Sequence, residues 1–190
     1  VSREMLQRNP LLIKIRQAVV KRIFAELKKK AEKAPDEFAT FWESFGSVLK
    51  EGLYEDAEAR DKLFEVVRFN STAGDGLISL TEYVERMKKG QDAIYYITGE
   101  EADALAASPQ LEGFAARGVE VLLLTDAVDE FWIPQVGLFA EKPFKSVTSG
   151  GADLANIEPD ESEAKDEKKE KTDDTATAKL VLAFKTALGD

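Results

Sequence analysis

The 190-residue chain contains no cysteine and no histidine. Their absence removes Ser-His-Asp and Cys-His nucleophilic sites, thiolate and imidazole zinc sites, disulfides and thiol redox chemistry from what its side chains can do. Any catalysis has to use carboxylates, Lys, Arg, Tyr, amides or a bound ligand. The lack of Cys also fits a reducing compartment. Long apolar runs are missing as well: none approaches the ~18 residues that a membrane span needs. Residues 1–33 have no apolar stretch followed by small residues, so no secretory leader is expected there. The chain starts at Val1 rather than Met, and we expect a piece cut from a longer protein.

Positive charge is scarce outside one region. Residues 1–33 hold ten Lys/Arg against three Asp/Glu, net +7, so a total of −10 leaves −17 for the remainder. An acidic whole argues against non-specific nucleic-acid binding. With 44% apolar and 33% charged residues the composition is that of a globular chain long enough to bury a core.

Hydrophobic spacing predicts one long helix over 10–33. Pro10 suits its first position, and Leu12, Ile15, Val19, Ile23 and Leu27 follow at steps of three and four. Lys28, Lys29, Lys30 and Lys33 suit its C-terminus, and Pro35 stops it. A second helix is expected from about Asp36 to Leu49, with Phe38, Phe41, Trp42 and Phe45 on one broad face. A third covers about Ala57–Val67. Residues 71–76 read as a loop, and Ser79 with Glu82 as a capping box that opens a helix closed by Gly90. Then Ala93–Thr98 reads as a strand, 100–117 as helix in two pieces ending at Gly118, and Val119–Thr125 as a second strand. This is a βαβ unit, which implies parallel pairing. A short helix near 127–135 and a strand near 144–148 extend it. Residues 158–174 hold nine acids and four bases and read as a charged linker without a core. Leu180, Val181, Phe184 and Leu188 then share one face of a last amphipathic helix.

Few motifs carry chemistry. Arg3 and Gln7, just before the long helix, suit an anion such as a terminal phosphate, although an isolated surface Arg is ordinarily just solvated. The basic helix could meet phosphates, but no aromatic stacking motif is interleaved with its charges and the rest of the chain is strongly acidic. Ser71 to Glu82 imitates the end of a calcium loop, yet Ser71 and Ala73 stand where two carboxylates are needed. Phe131, Trp132 and Ile133 form an apolar triplet beside Asp129 and Glu130. Helix geometry should bury at least one of the three; an exposed one would be an apolar contact site.

Several strings together resemble one family. Ser2-Arg3-Glu4-Met5-Leu6-Gln7 before a long basic helix, Arg68-Phe69-Asn70-Ser71-Thr72, Tyr95-Tyr96-Ile97-Thr98-Gly99-Glu100, and Glu120-Val121-Leu122-Leu123-Leu124-Thr125-Asp126 with Asp129-Glu130 are similar to the middle domain of the ninety-kilodalton heat-shock chaperones in their bacterial form. Lys142 and Ser146-Val147-Thr148 continue the match, and 176–190 resembles the opening helix of that family's C-terminal domain.

The resemblance implies a homodimeric, ATP-dependent protein-folding chaperone of the cytoplasm, active in the stress response. ATP and Mg would be held by an N-terminal ATPase domain outside this chain, and no cofactor by the chain itself. It implies that Arg3 and Gln7 are catalytic, reaching the γ-phosphate when domains close. It also implies that Glu130, Phe131 and Trp132 lie on a surface for unfolded client proteins, with Phe131 then Trp132 here where family members often place Trp directly after the acidic pair. Neither nucleic acid nor membrane is an expected partner, and no metal is expected in the chain. The chain alone is not expected to hydrolyse ATP.

The expected fold is α/β: a long helix and small three-helix coil, then an α-β-α sandwich with a mainly parallel sheet, a charged linker and a C-terminal amphipathic helix. The expected divisions are 1–9, the catalytic loop; 10–69, long helix and coil; 70–150, the small α/β domain; 151–175, the linker; and 176–190, the start of a truncated domain. The alternative reading is a non-enzymatic interaction module with a basic docking helix.

Overall fold

The computed structural model describes residues 9–149 and 153–157. Arg3 and Gln7, the charged segment 158–174 and the amphipathic segment 176–190 lie outside the described residues.

Helix α1 spans Pro10–Lys33, with the side chain of Asn9 accepting from the Leu11 N–H and Lys30 and Lys33 in its last turn. Its start, end and proline follow from the sequence signals. Helix α2 spans Pro35–Glu55, one and a half turns past Leu49. Gly52 does not stop it: an added Cβ there would stand 2.9 Å from Leu63, so glycine lets the next helix pack close while Leu53 is fully buried. Helix α3 is Arg60–Val66, and α4, Leu80–Arg86, opens on the expected capping box.

One six-stranded sheet follows, in the order β2-β1-β4-β3-β6-β5. Its strands are β1 Phe69–Ser71, β2 Gly74–Ile78, β3 Ile94–Thr98, β4 Leu122–Leu124, β5 Leu138–Phe139 and β6 Lys142–Ser146. The βαβ expectation holds. Strands β3 and β4 are parallel, with α5 (Ala102–Ala106), a 3-10 turn (Pro109–Leu111) and α6 (Glu112–Ala115) between them. Strand β6 joins β3 in parallel as well, with α7 (Asp129–Val136) on the way. The sheet expected to be mainly parallel is therefore mixed, with its parallel part confined to this centre. Antiparallel hairpins flank it: β1–β2 beside β4, and β5–β6 at the other edge.

Both hairpins lie where the sequence signals are weak. The expected loop 71–76 is corrected: only Thr72 and Ala73 form the β1–β2 turn, and Gly74 and Gly76, at φ 143° and 133°, already belong to β2. The β5–β6 turn is made by Ala140 and Glu141 at φ 47° and 63°. Such two-residue turns usually take Asn or Gly there, so neither residue advertises it.

Side chains alternate across the sheet with a period of two. Leu122, Leu124 and Ile94 face a core built with α2, α3, α4 and α7, including Phe38, Trp42, Leu63, Phe64, Tyr83 and Trp132. Leu123, Tyr95 and Ile97 face a second core with Leu105, Leu111, Phe114 and Leu154. The result is the expected α-β-α sandwich. Its hairpin edge is tied down by Glu120, which accepts from Ser71 Oγ at 2.6 Å and from both Arg86 Nε and Nη2 at 3.0 and 2.8 Å. Beneath it, Tyr83 donates to the Glu120 carbonyl and accepts from the Tyr95 N–H, and burial pushes its phenol well above the usual range.

The capping box yields a test. Glu82 Oε2 takes the Ser79 N–H and Oγ, each at 2.7 Å, and the Ser79 N–H is the main cause holding that carboxyl below its ordinary 4.5. A depressed folded pKa adds stability that is present above 4.5 and lost as pH falls through the folded value. Ser79→Ala should cost about 1 kcal/mol at neutral pH through the lost cap and raise the Glu82 carboxyl only part of the way, because the residue-79 N–H, the larger cause, remains. Urea unfolding and carboxyl-carbon NMR titration measure the two effects.

Candidate functional site

The sequence-predicted residues around 130 fall on α7. In this helix Asp129, Trp132 and Ile133 are buried, at i, i+3 and i+4, while Glu130 and Phe131 point out. Trp132 has no exposed surface, whereas Phe131 is 60% exposed. This corrects the grouping of Trp132 with Glu130 and Phe131 as a contact surface: the indole is core. It packs against Phe69, Phe64 and, edge-on at 5.3 Å, Phe144. Its Nε1 donates to Asp129 Oδ1 at 2.6 Å.

Asp129 is buried because a cation comes to it. Lys50, on α2 and only 3% exposed, reaches Asp129 Oδ2 at 3.0 Å and Asp126 Oδ2 at 2.7 Å. Its ammonium also stands 4.9 Å from the centre of the Phe69 ring. The Asp126 N–H adds a donor to Asp129 Oδ2 at 3.2 Å. Burial pushes the Asp129 carboxyl above its usual 3.8, with Lys50 and the Trp132 indole pulling against it.

Above this network Phe131 meets Tyr54 edge-on, ring centres 6.4 Å apart, and Tyr54 is itself 47% exposed. Neither Lys50 nor Tyr54 stands out in the sequence. A lone Lys in a helix reads as solvated, and nothing local links positions 50 and 129. The only available signal is the i, i+3, i+4 pattern of Asp129, Trp132 and Ile133, which an acid in an apolar stripe disguises.

A cleft of about 670 Å³ lies between α1, α2, α3, β2 and α4. It does not suit a nucleotide. Glu32, Asp36, Glu65 and Glu82 line it, and its two cations are engaged: Lys28 with Glu65 at 2.8 Å, and Arg68 with the Val67 and Glu65 carbonyls and the Phe38 ring. Among the described residues no group of three or more acids converges as a metal site, and no helix is long and apolar enough to cross a membrane.

Comparison with known proteins gives a consistent picture. The family model described as Hsp90 protein matches residues 1–190. The chain is 56% identical over 190 residues to the chaperone protein HtpG of Paramagnetospirillum magneticum, covering 100% of this chain and 30% of that protein. It is 51% identical over 189 residues to HtpG of Roseobacter denitrificans, again 100% and 30%. Among solved structures it is similar to the middle domain of a Plasmodium falciparum heat shock protein, at 30% identity and TM-score 0.67, over 74% of this chain and 58% of that one. The chain thus spans about 30% of the length of the curated relatives it matches.

The buried network predicts a split between neighbours. Lys50→Met leaves a buried carboxylate without its cation and should cost ~3–5 kcal/mol. Trp132→Ala should cost a similar ~3–5 kcal/mol through the cavity it leaves. Phe131→Ala, one residue away, should stay within about 0.5 kcal/mol of the parent. Urea unfolding of the three variants checks this.

Proposed function

The chain belongs to the Hsp90 protein family, and from that premise we propose that it is the part of an ATP-dependent protein-folding chaperone that completes ATP hydrolysis on another domain and holds client protein. Within it, 1–9 acts as the catalytic loop and 10–69 as a rigid arm. Residues 70–150 form the client-bearing sandwich, 151–175 the linker, and 176–190 the start of a dimerising domain. The parent works as a homodimer in the cytoplasm. ATP and its Mg sit on the N-terminal ATPase domain of the same chain, where bound nucleotide supplies the phosphoryl group that water attacks.

Arg3 would place a guanidinium against the charge that develops on the transferred phosphoryl oxygens, a position worth most in the transition state. Gln7 would add a neutral hydrogen bond to phosphate or water, with about half the strength of a charge-assisted one. Client contact falls to Glu130 and Phe131. The observation that carries this reading is the outward Phe131: a large apolar ring, 60% exposed beside an acid, on a helix whose other face is fixed in the core. A surface that binds unfolded chain needs apolar area that does not collapse inward.

The test uses the full-length parent. Arg3→Ala should lower kcat for ATP hydrolysis about 10-fold or more with little change in nucleotide affinity, and Gln7→Ala should lower it less. Phe131→Ala should weaken capture of an unfolded client and leave turnover of ATP without client unchanged. Unchanged kcat in Arg3→Ala, or unchanged capture in Phe131→Ala, overturns the respective half.

A further inference from the structure

Tyr54 ends α2, Phe131 begins α7, and they form an exposed ring pair. A single exposed ring is ordinary, but two in edge contact at the junction of two helices need a support that keeps them out. Lys50 stands one turn before Tyr54, and its partner Asp129 two residues before Phe131. The buried ion pair therefore fastens the two helices directly beneath the rings. Trp132, on the inward side of α7, is fully buried, while Phe131 stays outside.

The exposed charge of residues 51–58 and of Glu130 is all acidic. Glu51, one turn before Tyr54, is exposed, as are Glu55, Asp56, Glu58 and, from the facing helix, Glu130. Residues 51–58 contain no Lys or Arg, and the last turn of α2 has no basic residue. A helix C-terminus carries negative partial charge and is ordinarily met by Lys or Arg. Here Lys50 is turned inward, Arg60 from the start of α3 donates through Nε to the Leu53 carbonyl at 3.0 Å, and exposed acids take the outer positions, so a surplus of acid borders the apolar surface. The complement to that surface is a cation next to an apolar side chain.

We propose that Tyr54 and Phe131 together form a two-ring docking site for extended polypeptide segments that carry Lys or Arg beside an apolar side chain. The apolar side chain lies against the rings, and the cation meets Glu51 and Glu55 at the end of α2 and Glu130 on α7. The proposal rests on the reading of Phe131 as a client contact and adds to it Tyr54 as a second binding residue and a preferred charge.

Fluorescence anisotropy on this chain tests it, with a short labelled peptide alternating Arg and Leu and its Glu–Leu counterpart. The Arg–Leu peptide should bind, the Glu–Leu peptide should not, and added salt should weaken binding. Tyr54→Ala and Phe131→Ala should each weaken binding about 5-fold or more, as expected of anchoring residues, and Tyr54→Phe should retain it. The double alanine variant should lose less than the product of the single losses, since each ring supports the other. Phe45→Ala, an exposed ring on α2 outside the proposed site, should change nothing. Thermal melts of all variants should coincide. If Phe131→Ala loses binding while Tyr54→Ala keeps it, the two-ring site is overturned and the Phe131 contact stands. If both keep it, or the wild-type chain does not bind the Arg–Leu peptide, the two-ring site is overturned, and client capture by the Phe131→Ala parent separately decides the wider reading. Equal binding of both peptides overturns the charge preference. Sedimentation showing self-association lost in Tyr54→Ala assigns the rings to a second copy of the chain and overturns the peptide site.

Discussion

A lysine ammonium buried between two helices sets the geometry of this molecule. Bringing Lys50 and Asp129 out of water costs several kcal/mol per ion, and only close, well-satisfied geometry offsets that. The structure supplies it from three directions. Lys50 has Asp126, Asp129 and the face of Phe69; Asp129 has Lys50, the Trp132 indole and a backbone N–H. Because each partner would be left unsatisfied by movement of the other, α2, α7 and β1 have one relative placement. The outward direction of Glu130 and Phe131 follows from this, since the inward positions of α7 are already taken by Asp129, Trp132 and Ile133.

The sheet is organised around the same core. Its three parallel strands, β4, β3 and β6, are covered on both faces, and the alternation of Leu122, Leu123 and Leu124 between two cores reflects that. The antiparallel hairpins terminate the sheet at either edge. One of them is held by the Glu120 cluster, where the carboxylate joins Ser71 of β1 to Arg86 of α4. The domain thus pairs a rigid centre with short edges. This arrangement suits a body that presents a fixed surface.

Helix α1 differs in kind. None of its residues is fully buried; Phe24, Leu27 and Ala31 reach the core, while Leu11, Ile13, Ile15 and Val19 near its start are exposed. Its start is marked by a cap and Pro10, its end by lysines, and it is anchored at that end through Lys28 to Glu65 and Lys30 to Glu37. Surface ion pairs of this kind contribute only about 0–1 kcal/mol each, so the apolar contacts of the last turns do most of the anchoring.

Local rules made much of this legible. The bounds of α1, the Ser79–Glu82 capping box, the βαβ unit and its parallel pairing all depend on neighbours within a few residues or on a chain-wide handedness rule, and sequence carries both. The resemblance in SREMLQ and YYITGE, also local strings, carried the family. What the sequence could not contain was any relation between distant positions. The hairpins have turns whose residues, Ala140 and Glu141 above all, do not advertise them. Lys50 and Tyr54 acquire their roles only because folding brings them to Asp129 and Phe131, more than seventy positions away. Which ring of the Phe131-Trp132 pair faces water was likewise undetermined by composition, since both are apolar and adjacent. It was decided by packing, because the stripe of Asp129, Trp132 and Ile133 closes on Lys50, Phe64, Phe69 and Phe144, and Phe131 lies off that stripe.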